Sequence, residues 1–314
     1  MSVGVEHHPN RHREPARRLE RPDAFGLLAR FLHAATVVVR NAIVGVVWHD
    51  GVMVASAIAF SMIFALFPFM IFLVALGALV GGPQLGDYVS REALGAFPEH
   101  MVRTIQPELQ RIFATPNKTS LLSFGLAVTL ISITGCVEAV RDGLNRAYRC
   151  AEDRGPIRRY GSDLLFVFIG MFFVLAMASL GIVVPVWLRY LEASVLDVHF
   201  ELGLLRIARE ALIVIIMGVT LALVHLVLPA RKRRVKSVAT GALVTLVGWW
   251  ICGRLFGMYL SQIANYSATY AGLGGTVALM FFLYIQALIF IFGAELNRSI
   301  SEFHGRRDLC RKQS

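Results

Sequence analysis

Residues 249–297 read WWICGRLFGMYLSQIANYSATYAGLGGTVALMFFLYIQALIFIFGAELN. Two apolar runs are joined by a short, uncharged hinge, NYSATYAGLGG, at 265–275. A helix needs roughly 20 apolar residues to cross about 30 Å of hydrocarbon, and each run is about that long. The solvent of this stretch is therefore lipid. One arginine, Arg254, sits inside the first run, and Glu295 closes the second.

The rest of the chain agrees. It has 314 residues, 56% hydrophobic and only 17% charged, with mean hydropathy +0.62. A soluble core could not hide that excess. The net charge of +10 fits either nucleic acid or an anionic membrane surface, and its distribution favours the membrane. Cys136, Cys150, Cys252 and Cys310 form no CxxC pair and read as reduced bystanders. The N-terminus has no apolar signal core.

In chain order, residues 1–24 form a polar, Arg- and His-rich tail expected to be disordered. The apolar run from Phe25 to Asp50 carries Arg30, His33, Arg40 and Asn41 on one side of a helix. That pattern predicts an amphipathic helix lying in the interface, with Trp48 as its anchor. Six spanning segments follow, at about 52–80, 120–140, 164–188, 210–228, 238–260 and 276–296, within a transmembrane domain of 25–300. Pro68 falls inside the first and predicts a kink. Between the first two spans, residues 101–113 have the spacing of a short amphipathic helix. The second runs on into EAVRDGLNRAYRC, which predicts that its helix leaves the membrane with a polar face. Residues 189–209 read as a mixed-charge loop and 301–314 as a basic tail. The fold class is thus an all-α membrane protein, six transmembrane helices with amphipathic interfacial helices.

Orientation follows from the Lys and Arg in each connection. One side carries seven, six, five and five; the other carries four, three and none. Arg254 is the remaining one of 31. The excess of positive charge predicts that both termini are cytoplasmic.

The pieces ASAIAFSMIFALFPF, LNRAYR with RGPIRRYGSDLL, LVLPARKRRVKSVATGALV, and MYLSQIANYSATYAGLGGTVALMFFLYIQALIFIFGAELN resemble the YihY/BrkB family of bacterial inner-membrane proteins, formerly labelled ribonuclease BN. The resemblance covers about residues 40–300. The last block is the most specific; Phe282 stands where that family commonly has tryptophan. The resemblance implies a six-helix inner-membrane bundle, in a family linked to serum resistance and to export of envelope lipids.

Several residues could carry chemistry. Arg254 admits three readings: it holds an anionic group such as a lipid phosphate, it snorkels to the interface, or it forms a structural ion pair. Glu138 and Arg141 have the spacing of a helical pair. With Asn145, Arg154, Arg158 and Arg159 they read either as a cationic rim that gathers phosphate head groups or as a solvated inner loop. Glu295 and Asn297 either complete that rim or mark the interface. Tyr259, Asn265, Tyr266 and Tyr270 read as the outer part of a site or as an aromatic belt. Pro68, Gly272, Gly274 and Gly275 are expected structural hinges. His225 reads as a packed histidine. No cofactor or metal is expected, since HxHxDH, HExxH and nucleotide-binding signatures are absent.

Four functions compete: a protein that handles or transports an envelope lipid or other amphiphile, a small-solute or ion transporter, a non-catalytic envelope scaffold, and a tRNA-processing ribonuclease. The first is preferred and no enzyme activity is expected. The expected partners are membrane lipids and envelope proteins, not nucleic acid. The oligomeric state is left open.

Overall fold

The computed structural model describes residues 24–66, 68–69, 118–184, 199–231, 235–263 and 271–312. All elements assigned there are helical: α1 Ala24–Trp48, α2 Gly51–Leu66, α3 Lys118–Tyr148, α4 Pro156–Ala178, α5 His199–Val227, α6 Val235–Ile263 and α7 Ala271–Lys312. A π-turn, Ser179–Val183, follows α4. In lipid every backbone N–H and C=O must be satisfied within the chain, and a helix does this alone. Two compact units are present, Met1–Val37 and Val38–Ser314. The described part of the first is helical, with the Thr36 hydroxyl donating to the His33 carbonyl at 2.9 Å. All that follows concerns the second.

Among the described residues, four helices are long and apolar enough to cross a membrane: Pro156–Gly181, Gly203–Val227, Ser237–Tyr259 and Val277–Phe303. Leu32–Trp48 and Gly51–Leu66 pass the same test together, bent by 68°, which raises the count to five. Six spans were expected. The one at 120–140 lies in α3, and the one at 52–80 starts in α2 and runs beyond the described residues. The steep bend after Trp48 fits an interfacial helix followed by a span. Trp48 itself is 79% exposed.

Three expectations need correction. Residues 199–209, read as loop, are the first three turns of α5. Gly272, Gly274 and Gly275, read as hinge, are helical within the first turns of α7. The tail from 301 continues α7 as helix to Lys312. In each case charge or glycine content was taken as a break, but helices tolerate both where the segment ends outside hydrocarbon. Pro68 has helical backbone. Asn265, Tyr266 and Tyr270 and the amphipathic stretch 101–113 lie outside the described residues.

The core explains the packing. Helix α7 runs against α6, α3 and α1, with Ala287, Phe290, Ile291 and Ala294 buried in the main apolar cluster. Val38 and Ala42 of α1 close on Leu296. At the α6–α7 crossing two glycines meet. A Cβ on Gly241 would fall on the Gly293 carbonyl oxygen, and one on Gly293 would strike the Thr245 hydroxyl. Lipid is as apolar as leucine, so membrane helices gain most where small residues let backbones approach.

Candidate functional site

Most of the buried charge in the described residues lies in one layer, at the C-terminal ends of α3 and α5 and the start of α4. Arg141, on α3, is fully buried. Its Nη1 donates to Asp163 of α4, which is also fully buried. Its Nη2 donates to Glu138 at 3.2 Å and Asp142 at 3.4 Å, and its Nε lies 3.6 Å from Glu152. An isolated guanidinium here would cost several kcal/mol, on the order of the effective penalty for a buried ion. Four carboxylates offset that cost. Glu138 also accepts from Arg159.

The α3–α4 connection ties this group to α5. Arg154 grips Glu152 with two N–H donors, at 2.7 and 2.8 Å, and donates to the Leu228 carbonyl at 3.1 Å. Asn145 donates to Glu152 at 3.0 Å and accepts from the Ala230 N–H at 2.7 Å. Glu152 lies outside the spanning segments. The Arg154 guanidinium, with Asn145 behind it, outweighs burial and holds its carboxyl down at about 2.

Two turns along α3 a second link forms. The Gly241 N–H donates to Asn297 Oδ1 at 2.7 Å, which fixes the orientation of that amide. Asn297 Nδ2 then donates to Tyr148 Oη at 3.2 Å and to the Val238 carbonyl at 3.1 Å. Tyr148 Oη lies 3.0 Å from His225 Nδ1. Tyr148 Oη and His225 Nδ1 thus share one proton between them, and Tyr148 joins α7 to α5. His225 is fully buried beside Phe290, with ring centroids 4.7 Å apart.

A third link reaches the α1–α2 bend. Glu295 is buried against Gly45, in space that a Cβ there would fill. It lies 3.0 Å from His49 Nδ1 and 3.4 Å from Arg149 Nη2. His49 Nδ1 also meets the Gly45 carbonyl at 2.7 Å. Asp50 and Arg149 both have left-handed backbone, φ 56° and 54°. Asp50 is paired to Arg146 at 3.1 Å.

These positions revise the cationic rim. Arg141, Asn145, Glu295 and Asn297 are buried in helix contacts, while Arg158 is exposed and Arg159 half-buried. Arg141, Arg154 and Arg159 face Glu138, Asp142, Glu152 and Asp163, so acid exceeds base. The expected Glu138–Arg141 pair is present. The motif GAELN at 293–297 turns out to be a packing hub: Gly293 and Asn297 serve α6, Glu295 and Leu296 serve α1, and Ala294 fills the core. Asp163 was overlooked because the span was started at Leu164, eight residues after the helix begins at Pro156. An acid beside an apolar run was the available signal.

Arg254 stands apart. It is exposed on α6, its Cζ 5.8 Å from the Trp250 ring centroid. Trp250, Leu255, Met258 and Tyr259 around it are exposed, and nothing stands within 4 Å of a Cβ built on Gly253 or Gly257.

Apolar helices with outward-facing large side chains, joined at one end by buried polar links, define an all-helical membrane protein. Comparison with known proteins sharpens this. The family model described as Virulence factor BrkB matches residues 43–314, and the chain belongs to that family. It is 29% identical over 269 residues to the ribonuclease-like protein YfkH of Bacillus subtilis, covering 83% of this chain and 93% of that one. It is 24% identical over 188 residues to a UPF0761 membrane protein of Aeromonas salmonicida, covering 60% and 62%. A UPF0761 membrane protein of Tolumonas auensis is 23% identical over 278 residues, covering 84% and 85%. No solved structure matches the chain.

Proposed function

We propose that this is a six-span bacterial inner-membrane protein, both termini cytoplasmic, that handles or transports an envelope lipid or other amphiphile. In that orientation the buried polar layer lies toward the cytoplasm and Arg254 in the outer half of the bilayer. The observation that carries the reading is the exposure of Arg254 within a candidate span. An arginine costs about 2.5–3.5 kcal/mol at the centre of a span on insertion scales, and less toward an end, where Arg254 lies. Its one described contact is with Trp250. A lipid phosphate would supply the missing anion, Trp250 would flank it, and the open notch at Gly253 and Gly257 would admit acyl chain. Arg254 is five residues from Tyr259, about 7.5 Å along the axis, so a head group at the outer surface is within its reach.

The test is native mass spectrometry of the purified protein and of Arg254→Ala, reading co-purified lipid. Loss of anionic lipid from the variant supports the reading; unchanged retention removes Arg254 from the site. The name of YfkH raises a second reading, RNA cleavage. Among the described residues no group of three or more His, Cys, Asp or Glu is placed to hold a metal ion. Trimming of tRNA 3′ ends by nuclease-free protein with Mg²⁺ or Zn²⁺ would establish that reading.

A further inference from the structure

The charged residues of the span Gly203–Val227 fall together at its start. They are Arg206, Arg209 and Glu210, and from Ala211 to Val227 no Asp, Glu, Lys or Arg follows. An open groove of about 590 Å³ runs beside them, at the opposite end of α5 from His225. That volume is within the roughly 300–1,000 Å³ of ligand-binding clefts. Among the described residues its lining is Arg206, Ile207, Glu210, Ala211, Val214 and Ile215. Helical spacing sorts these into two adjacent ridges, Arg206–Glu210–Val214 and Ile207–Ala211–Ile215. Ala211 is small and stands one turn from an isoleucine on either side, so the second ridge has a dent at its middle.

The groove is polar at one end and apolar at the other. Arg206 and Ile215 are separated by about 13.5 Å along the axis. Ile207, Val214 and Ile215 are each more than half exposed, and in a spanning helix such a face meets lipid. A phospholipid has the same profile, a charged head at the interface and a chain in the hydrocarbon. The charges narrow the head group. A guanidinium such as Arg206 suits phosphate. Glu210, one turn away on the same face, opposes a head that is only anionic and attracts one that also carries an ammonium. Arg209 donates to Oε1 of Glu210 and fixes the direction of the carboxylate. A carboxylate accepts at about four lone-pair sites, and the Glu210 side chain is 63% exposed. Residues one turn apart have Cβ atoms about 5–6 Å from each other, a separation that a phosphate and an ammonium joined by an ethanolamine link can match.

We infer that this groove on α5 binds an aminophospholipid, with its phosphate at Arg206, its primary ammonium at Glu210 and one acyl chain over Ala211 between Ile207 and Ile215. The site is on a different helix from Arg254, and the inference does not rest on the role proposed for that residue.

Native mass spectrometry of the full chain tests it. The delipidated protein is given equal amounts of phosphatidylethanolamine, phosphatidylglycerol and phosphatidylcholine with the same acyl chains. The wild type should retain phosphatidylethanolamine above the other two, since phosphatidylglycerol lacks the ammonium and phosphatidylcholine lacks its N–H donors. Glu210→Gln should lower the ratio of bound phosphatidylethanolamine to phosphatidylglycerol by about threefold or more, the scale of one exposed ion pair. Ala211→Leu fills the dent, leaves every charge in place and should lower phosphatidylethanolamine binding by about fivefold or more through overpacking. It is an exposed helical position, so this variant decides the matter should Glu210→Gln disturb Arg209 and fail to fold. Wild-type phosphatidylethanolamine binding in Ala211→Leu, or an unchanged ratio in Glu210→Gln, would overturn the inference. A ratio that falls in Arg254→Ala and not in Glu210→Gln would overturn it too, while leaving the Arg254 reading in place. Loss of the ratio in Glu210→Gln with none in Arg254→Ala supports the groove whatever becomes of Arg254.

Discussion

Replacing Arg141 by methionine should be far more damaging than replacing its partner Asp163 by asparagine. The asymmetry comes from the geometry. Asp163 is fully buried and its described cation is Arg141. Arg141→Met leaves that carboxylate buried and unpaired, which typically costs about 3–5 kcal/mol. Asp163→Asn leaves Arg141 with Glu138, Asp142 and Glu152, all within 3.2–3.6 Å. One charge-assisted hydrogen bond weakens, at a cost of about 1–2 kcal/mol. At about 2–4 °C per kcal/mol for a chain of this order, Arg141→Met should lower Tm by roughly 6–20 °C and Asp163→Asn by roughly 2–8 °C. The double variant Arg141→Met with Asp163→Leu removes both charges and should recover most of the loss. Thermal unfolding in detergent, followed by tryptophan fluorescence and by recovery of monodisperse protein, reads all three. Equal effects of the two single variants, or a double variant worse than Arg141→Met, would refute the view that Arg141 is held by a shell and Asp163 by one partner.

Other outcomes follow from single features. Gly293→Val should destabilise by about 1–3 kcal/mol or more through overpacking at the α6–α7 crossing, whereas Gly170→Val, with nothing within 4 Å of a Cβ, should stay within about 0.5 kcal/mol; Tm of both checks the contrast. The Glu152 carboxyl is held at about 2, against 4.5 without its partners. Between those values the unfolded chain binds the proton that the folded chain refuses, so stability is full above 4.5 and is lost as pH falls toward 2. A Tm series from pH 6 to 2.5 should show that slope reduced in Glu152→Gln. Arg254→Ala should change Tm by no more than the equivalent of about 1 kcal/mol, the scale of an exposed cation–π contact, while the lipid content of the purified protein falls. A large Tm loss would make Arg254 a structural residue.

Helices and their positions were readable from hydropathy because lipid imposes one rule on every apolar run of sufficient length. The continuation of α3 as helix to Tyr148 was readable too, from Glu138, Arg141 and Asn145 at helical spacing. The helical nature of 199–209 and 301–312 was not, because charge marks the edge of hydrocarbon and not the end of a helix. At the candidate site, the i, i+3 pair Glu138–Arg141 was legible. The Asp163 partner, 22 residues away, was not, since nothing local says which acid crosses to which base. Nor could hydropathy show that Glu295 and Asn297 face inward. The same residues at an interface give the same pattern, and only the glycines at 45 and 241, which make room for them, separate the two cases.

The meeting of Gly241 and Gly293 has a mechanical consequence. Two rods that touch backbone to backbone, with only the Thr245 and Asn297 side chains beside the contact, are fixed more firmly in separation than in angle. The crossing is a fulcrum. What sets the angle lies one turn further along α7, where Asn297 reaches the Gly241 N–H and the Val238 carbonyl. Because α7 is one helix of 42 residues, about 63 Å long, a small tilt about that fulcrum becomes a displacement of several ångströms at either end. A long arm on a short pivot, with an amide as its stop, turns a local loss of hydrogen bonds into movement across the thickness of a membrane.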